Sequence, residues 1–202
     1  SHETLFYLKE LQKLNIEIKN HMPDFVDCII LPKKNRKKKL LIADMDSTII
    51  KEETLDEVAN YLGVSKKISK ITELAMDGKI DFEEALRERV NLLKGTNIEI
   101  LKLVLEKHIT INDGAEILIK TSKKNHCKTA LVTGGFSLFS NEIGKKLGFD
   151  YVISNSLELN GNHLTGNLIG KIIDRAEKKK SLEDLAKKNG INRIETLAVG
   201  DG

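Results

Sequence analysis

The stretch "KKKLLIADMDSTII", residues 37–50, decides how the rest of the chain is read. An apolar run, Leu40 to Ala43, passes directly into two acids one residue apart, Asp44 and Asp46. A short run of this kind, bounded by lysines before it and by acids and hydroxyls after it, predicts a strand buried on both faces, as in parallel sheets. In open α/β sheets ligands bind in the crevice outside the carboxyl ends of the strands, and the two acids stand at that end. On a near-extended backbone, residues two apart project to one side. Both carboxylates are therefore expected to address one ligand while Met45 turns away. Two like charges that close resist ionising together unless a cation offsets them. A hard divalent ion such as Mg2+, which takes oxygen ligands and arrives with phosphate, is the natural partner. The competing reading is a plain helix cap, served by an Asp followed by Ser47 and Thr48.

Working outward, three more apolar runs fit buried parallel strands: "TALV" (129–132), "YVIS" (151–154) and "TLAV" (196–199). Helical periodicity fills 114–124, 137–147 and 177–189, the last ending at Gly190 as a C-cap does. Strands alternating with helices predict an α/β fold, a Rossmann-like doubly wound parallel sheet with right-handed crossovers. "LELNGNHLTG" predicts a hairpin turning at Asn160-Gly161 or Gly161-Asn162. Residues 51–110 are too long for one crossover and hold four helical stretches punctuated by Gly63, Gly78 and Gly95. The expected organisation is a catalytic core of 39–50 and 111–202, with a small helical cap domain of 51–110 inserted above the strand ends. A leading segment, 1–38, precedes it.

That leading segment places Leu5, Leu8, Leu11 and Leu14 at helical spacing, and "FVDCIIL" then predicts a short strand. The run "KKNRKKK" (33–39) is basic at six of its seven positions. A nucleic-acid or acidic-lipid patch is one reading; a solvated linker is the expected one.

Composition narrows the classes. With 40% apolar and 31% charged residues, a packed globular core is expected rather than disorder. The 33 basic and 30 acidic residues nearly cancel, so charge alone names no polyanionic partner, and no nucleic acid is expected. Aromatics at 4% without Trp argue against stacking platforms for single strands. Cys28 and Cys127 lie far apart and outside any zinc spacing. No apolar run is long enough for a membrane span and no signal peptide is legible, so no membrane partner is expected and a reducing cytoplasm is the expected setting.

Polar and glycine residues recur at the other strand ends. "LVTGGF" puts Thr133, Gly134 and Gly135 after the second strand, where bare N–H groups and a hydroxyl can face phosphate oxygens. "AVGDG" puts Asp201 after the last, and "EKKKSL" offers Lys178, Lys179 and Lys180 at a helix start. Over about residues 39–202 these four matches resemble the phosphoserine phosphatases of the haloacid dehalogenase-like superfamily. Their signature is a D-x-D-x-T strand end, a Ser/Thr-Gly-Gly strand end, a lysine and a terminal G-D-G.

The resemblance implies Mg2+-dependent hydrolysis of O-phosphoserine, the last step of serine biosynthesis. By it Asp44 is the nucleophile and Asp46 the general acid and base. Asp44, Asp46 (through its carbonyl) and Asp201 are the metal ligands, and Thr133, the Gly134 N–H and Lys178 hold the phosphate, with Lys180 as the alternative lysine. Glu53, Met76, Phe82 and Arg89 fall at the family's substrate-recognition positions. Arg89 suits the carboxylate and Glu53 the ammonium of a zwitterion, while Met76 and Phe82 suit a lid that excludes water. The family's G-D-G normally continues with Asn and a second Asp, so the native protein is expected to continue past Gly202, and residues 1–38 to be the last piece of a regulatory domain. Another small phosphomonoester as substrate, a phosphotransferase, and a non-enzymatic phospho-accepting module remain the alternatives.

Overall fold

The computed structural model describes residues 2–23, 25–26 and 35–201, and the chain divides into two compact units, Ser1–Arg36 and Lys37–Gly202. The first unit carries helix α1 (His2–His21), with Lys19 and His21 in its last turn, where cations favour the negative end of the helix dipole. Leu14 on that helix is exposed. The side chains of Leu5, Leu8 and Leu11, residues 27–31 of the expected strand with Cys28, and Gly202 lie outside the described residues.

In the second unit the order is β1 (Leu40–Ala43), α2 (Thr54–Leu62), α3 (Ser65–Met76), α4 (Phe82–Asn91), α5 (Ile98–His108) and α6 (Ala115–Lys124). It continues with β2 (Lys128–Phe136), α7 (Ser137–Leu147), β3 (Tyr151–Asn160), β4 (His163–Ile169), α8 (Arg175–Lys188), one 3-10 turn (Arg193–Glu195) and β5 (Thr196–Val199). The strands form one sheet in the order β4-β3-β2-β1-β5. β1 runs parallel to β2 and β5, β2 is parallel to β3, and β4 returns antiparallel on β3. This is the expected doubly wound α/β core, with a hairpin added at one edge.

β1 sits between two neighbours, so all four of its side chains are buried, as the apolar run required. The basic run ends in structure: Lys39 donates its amide to Glu195 O at 2.7 Å and pairs its ammonium with the Glu195 carboxylate at 2.6 Å. β5 differs from the buried strand expected of "TLAV". Among the described residues it pairs with β1 alone, and Leu197 is 41% exposed. The hairpin turns at Gly161-Asn162, since Asn160 pairs with His163 and Gly161 has φ of +57°, a value that glycine adopts without cost. Helix α8 begins two residues before the periodicity suggested, because Asp174 caps it by accepting from the Glu177 N–H at 2.7 Å.

Four helices, α2 to α5, occupy the stretch between β1 and α6. Two chain segments join them to the sheet and pair with each other. Ile50 and Ile111 form an antiparallel bridge, Lys51 N donates to Thr110 O at 3.0 Å, and Asn112 N donates to Ile49 O at 2.9 Å. A continuous apolar cluster runs from Ala43 and Met45 through Val58, Leu86, Leu101 and Val104 to Phe136 and Phe139. The helices thus share one core with the strand ends. Among the described residues no helix is long and apolar enough to cross a membrane.

Candidate active site

The backbone leaves β1 through a tight turn. The Met45 carbonyl accepts from the amides of Thr48, Ile49 and Ile50 at 3.3, 2.9 and 3.0 Å, and Ser47 takes a left-handed φ of 52°. Asp44 and Asp46 share one side, as the spacing predicts, yet the turn rather than an extended strand brings them together. Met45 is fully buried. It anchors the turn in the core and leaves both acids lining a cavity of about 630 Å³.

Most of the expected residues meet there. Asp44, Asp46, Glu53, Phe82, Arg89, Thr133, Gly134, Lys178 and Asp201 all line the cavity. Met76 does not: at the end of α3 it is 84% exposed and lies outside the lining. Lys178 pairs its ammonium with Asp44 Oδ2, whereas Lys180 pairs with Glu177 at 3.7 Å. The other Asp44 oxygen, Oδ1, accepts from the Met45 N–H at 2.8 Å.

Asp46 sits in a drier place. Its Oδ1 accepts from the Thr54 N–H at 3.1 Å. Burial nonetheless pushes its carboxyl from the ordinary 3.8 up to about 7, with a smaller push from the Glu53 charge, against the lowering effect of the Thr54 bond. A carboxyl poised near neutrality can give a proton and take it back at working pH. The neighbouring Asp44 and Asp46 therefore occupy different environments: one faces an ammonium, the other is pushed by burial toward its neutral form.

Gly135 explains the closeness of these groups. A Cβ built there would stand 2.6 Å from Met45 Cε, 2.8 Å from Asp46 Oδ2 and 3.2 Å from Thr133 Oγ1. Gly135→Ala must displace the Asp46 carboxylate. A misplacement of that size is expected to lower kcat roughly 100-fold for any reaction that uses Asp46 as acid or base. Wild-type turnover in Gly135→Ala would show that Asp46 is not held where its chemistry needs it.

Also in the lining, Glu53 accepts from the Ser47 hydroxyl at 2.6 Å, and Arg89 donates its Nε–H to Ala85 O at 3.1 Å. Burial lowers the Arg89 guanidinium from its ordinary value, while Asp56 and Glu53 pull it back up. With Nε tied to its own helix, Arg89 keeps the fork of Nη groups for a ligand.

The donor chemistry fits a hard cation. Asp44 and Asp201 supply two carboxylates, and the Asp46 carbonyl accepts no backbone hydrogen bond from the described residues. No three acidic, His or Cys side chains converge as a closed cluster among the described residues. Mg2+ does not need one, since it binds through one or two carboxylates plus phosphate and keeps several waters.

Sequence reasoning missed Thr54, Asn155, Asp174 and Arg175. Asp174 had a signal, the D-x-x-E spacing to Glu177 that marks a helix start. A lone Asn in a strand and an arginine at a helix start carry none.

A family model described as haloacid dehalogenase-like hydrolase matches residues 41–202. The phosphoserine phosphatase of Archaeoglobus fulgidus is 45% identical over 168 residues, covering 83% of this chain and 48% of that protein. That of Methanocaldococcus jannaschii is 44% identical over 167 residues, covering 83% of this chain and 79% of that protein. The chain thus spans about half the length of the first relative and about four-fifths of the second. Among solved structures, a phospho-aspartyl intermediate analogue of phosphoserine phosphatase is 44% identical with a TM-score of 0.75, covering 83% of this chain and 79% of that one.

Proposed function

The chain belongs to the haloacid dehalogenase-like hydrolase family, and from that premise we propose that it hydrolyses O-phospho-L-serine through an aspartyl-phosphate on Asp44. The observation that carries the reading is one cavity in which Asp44 faces Lys178 while Asp46 holds a proton near neutrality, with Glu53 and Arg89 lining the same space.

Asp44 attacks phosphorus on the side opposite the serine oxygen. The phosphorus–oxygen bond to serine breaks as the Asp46 proton passes to that oxygen, so neutral serine leaves and the phosphoryl group stays on Asp44. Asp46, now a carboxylate, takes a proton from water. The water oxygen attacks phosphorus, the bond to Asp44 breaks, and inorganic phosphate departs with both acids restored. Thr133, the Gly134 N–H and the Lys178 ammonium hold the phosphoryl oxygens; in analogous sites one such donor is worth about 3 kcal/mol. Asp44, Asp201 and the Asp46 carbonyl would hold Mg2+, which when bound offsets the charge on the phosphoryl oxygens.

A phosphate site alone accepts any monoester. Arg89 takes the substrate carboxylate and Glu53 its ammonium, so the pair reads the two ends of an amino acid. Helices α2 to α5 act as the cap that carries these groups. Phe82 covers the reacting centre, and Met76 joins it only when the cap closes further.

The test is phosphate release from L-phosphoserine, phosphothreonine and p-nitrophenyl phosphate, with and without Mg2+. Mg2+-dependent turnover that favours phosphoserine is expected. Arg89→Lys keeps the charge but not the two-pronged geometry. It is expected to raise KM for phosphoserine at least about tenfold while leaving the nitrophenyl ester nearly unchanged. Equal turnover of all three esters would remove the roles given to Glu53 and Arg89.

A further inference from the structure

We propose that Asn155 is a positioning residue that sets the Thr133–Gly135 loop against helix α8; the proposal rests on the phosphatase reading above. β2 and β3 stay in register through Val132↔Ile153 and resume it at Phe136↔Asn155. Thr133, Gly134 and Gly135 therefore stand opposite Ser154 alone, and the loop bulges out of the ladder. The bulge deprives the Gly134 carbonyl of a strand partner. Asn155 replaces that partner, donating from Nδ2 to Gly134 O at 2.7 Å.

The other end of the same carboxamide faces the other way. Its Oδ1 accepts from the Ile173 N–H at 2.9 Å. Ile173 precedes Asp174, the cap of α8, and the Lys178 N–H donates to Asp174 O at 2.9 Å. One side chain, 2% exposed, thus clasps the loop to the start of the helix that delivers Lys178.

The clasp also fixes an orientation. The peptide between Gly134 and Gly135 is a rigid plane. Asn155 holds its carbonyl edge, and Thr133 Oγ1 accepts from its N–H edge at 2.9 Å. Because that hydroxyl accepts from the backbone, its own proton remains free to be donated to a phosphoryl oxygen. Releasing the carbonyl lets the plane turn, which takes the Gly135 N–H off Thr133 Oγ1 and disorients that hydroxyl. Asn155 hydrogen-bonds neither Glu53 nor Arg89, so the loss is expected in kcat rather than in recognition of the serine part.

Asn155→Asp in the full-length protein separates positioning from mere structure. The new carboxylate still accepts from Ile173 but sets an anionic oxygen against the Gly134 carbonyl. We expect kcat on phosphoserine to fall roughly 100-fold, with KM changed less than about threefold. Lowering the pH protonates the new carboxyl, which then donates to Gly134 O, so the deficit relative to wild type is expected to shrink at least about fivefold between pH 8 and 5. If Asn155→Asp does not fold, Asn155→Ser removes the clasp without adding charge and is expected to show the same kcat loss with no recovery at low pH.

p-Nitrophenyl phosphate is run in parallel. A wild type that cleaves only this ester ends the phosphoserine reading, yet Asn155→Asp must then show the same acid-rescued loss on it. A kcat within about twofold of wild type in either variant, or a deficit in Asn155→Asp that is equal at every pH, overturns the proposal. A wild type that cleaves neither ester overturns both.

Discussion

Asp44→Asn is expected to abolish turnover of phosphoserine, lowering kcat by about 10⁵-fold or more, the scale seen when a covalent nucleophile is removed from a preorganised site. The substitution is nearly isosteric. An Asn side-chain oxygen can still accept from the Met45 N–H that now bonds Asp44 Oδ1 at 2.8 Å, and Met45 stays anchored in the core, so the turn after β1 should keep its shape. What disappears is the negative oxygen paired with Lys178 and able to bond phosphorus. Rapid acid quench after mixing with radiolabelled phosphoserine should trap label on the wild type and none on the variant. A variant that retains more than about 1% of wild-type kcat would place the nucleophile elsewhere.

Asp46→Asn is expected to lower kcat on phosphoserine 10²- to 10⁴-fold, roughly the range of a general acid or base. The leaving group sharpens the test. A serine alkoxide needs a proton to depart and a nitrophenolate does not. With p-nitrophenyl phosphate the variant should release about one equivalent of nitrophenol in a burst and then stall, because the water that attacks the phosphorylated Asp44 also lacks its base. Absence of a burst would mean that Asp46 does not divide its work between the two half-reactions.

The same substitution carries a stability signature in the metal-free protein. Burial raises Asp46 from 3.8 to about 7, so the folded chain holds that proton more tightly than the unfolded chain. The stabilisation this provides is fully present below about pH 4, declines as pH rises, and is lost above about pH 7. Asn does not titrate. Relative to Asp46→Asn, the wild type in chelator should therefore lose about 2–3 kcal/mol of stability between pH 5 and pH 8, read from urea unfolding. A difference that stays constant across that range would contradict the buried environment of Asp46.

The two acids were legible because strand-end placement is a local property: four apolar residues must be covered on both faces, and the residues next in the chain emerge at the carboxyl edge of the sheet. Thr133, Gly134 and Asp201 were legible on the same ground. Helix α8 starts two residues before its periodicity indicates because its capping acid, Asp174, stands outside the apolar repeat; the D-x-x-E spacing to Glu177 was the legible sign of the true start. β5 was misjudged because an apolar run indicates that a strand forms and leaves open which neighbours cover it.

From the sequence alone came the α/β core, the helical insertion after β1 and the residue types gathered at the strand ends, all consequences of periodicity and of chain direction. The resemblance puts Lys178 ahead of Lys180, and tertiary packing turns α8 so that Lys178 meets Asp44 in the cavity while Lys180 pairs with Glu177. The exposure of Met76, the clasp of Asn155 on two distant amide groups and the proton held by Asp46 were likewise decided only by tertiary structure. The physical reason is common to them: burial and hydrogen-bond partners are set by residues far apart in the chain, and a short window of sequence contains neither.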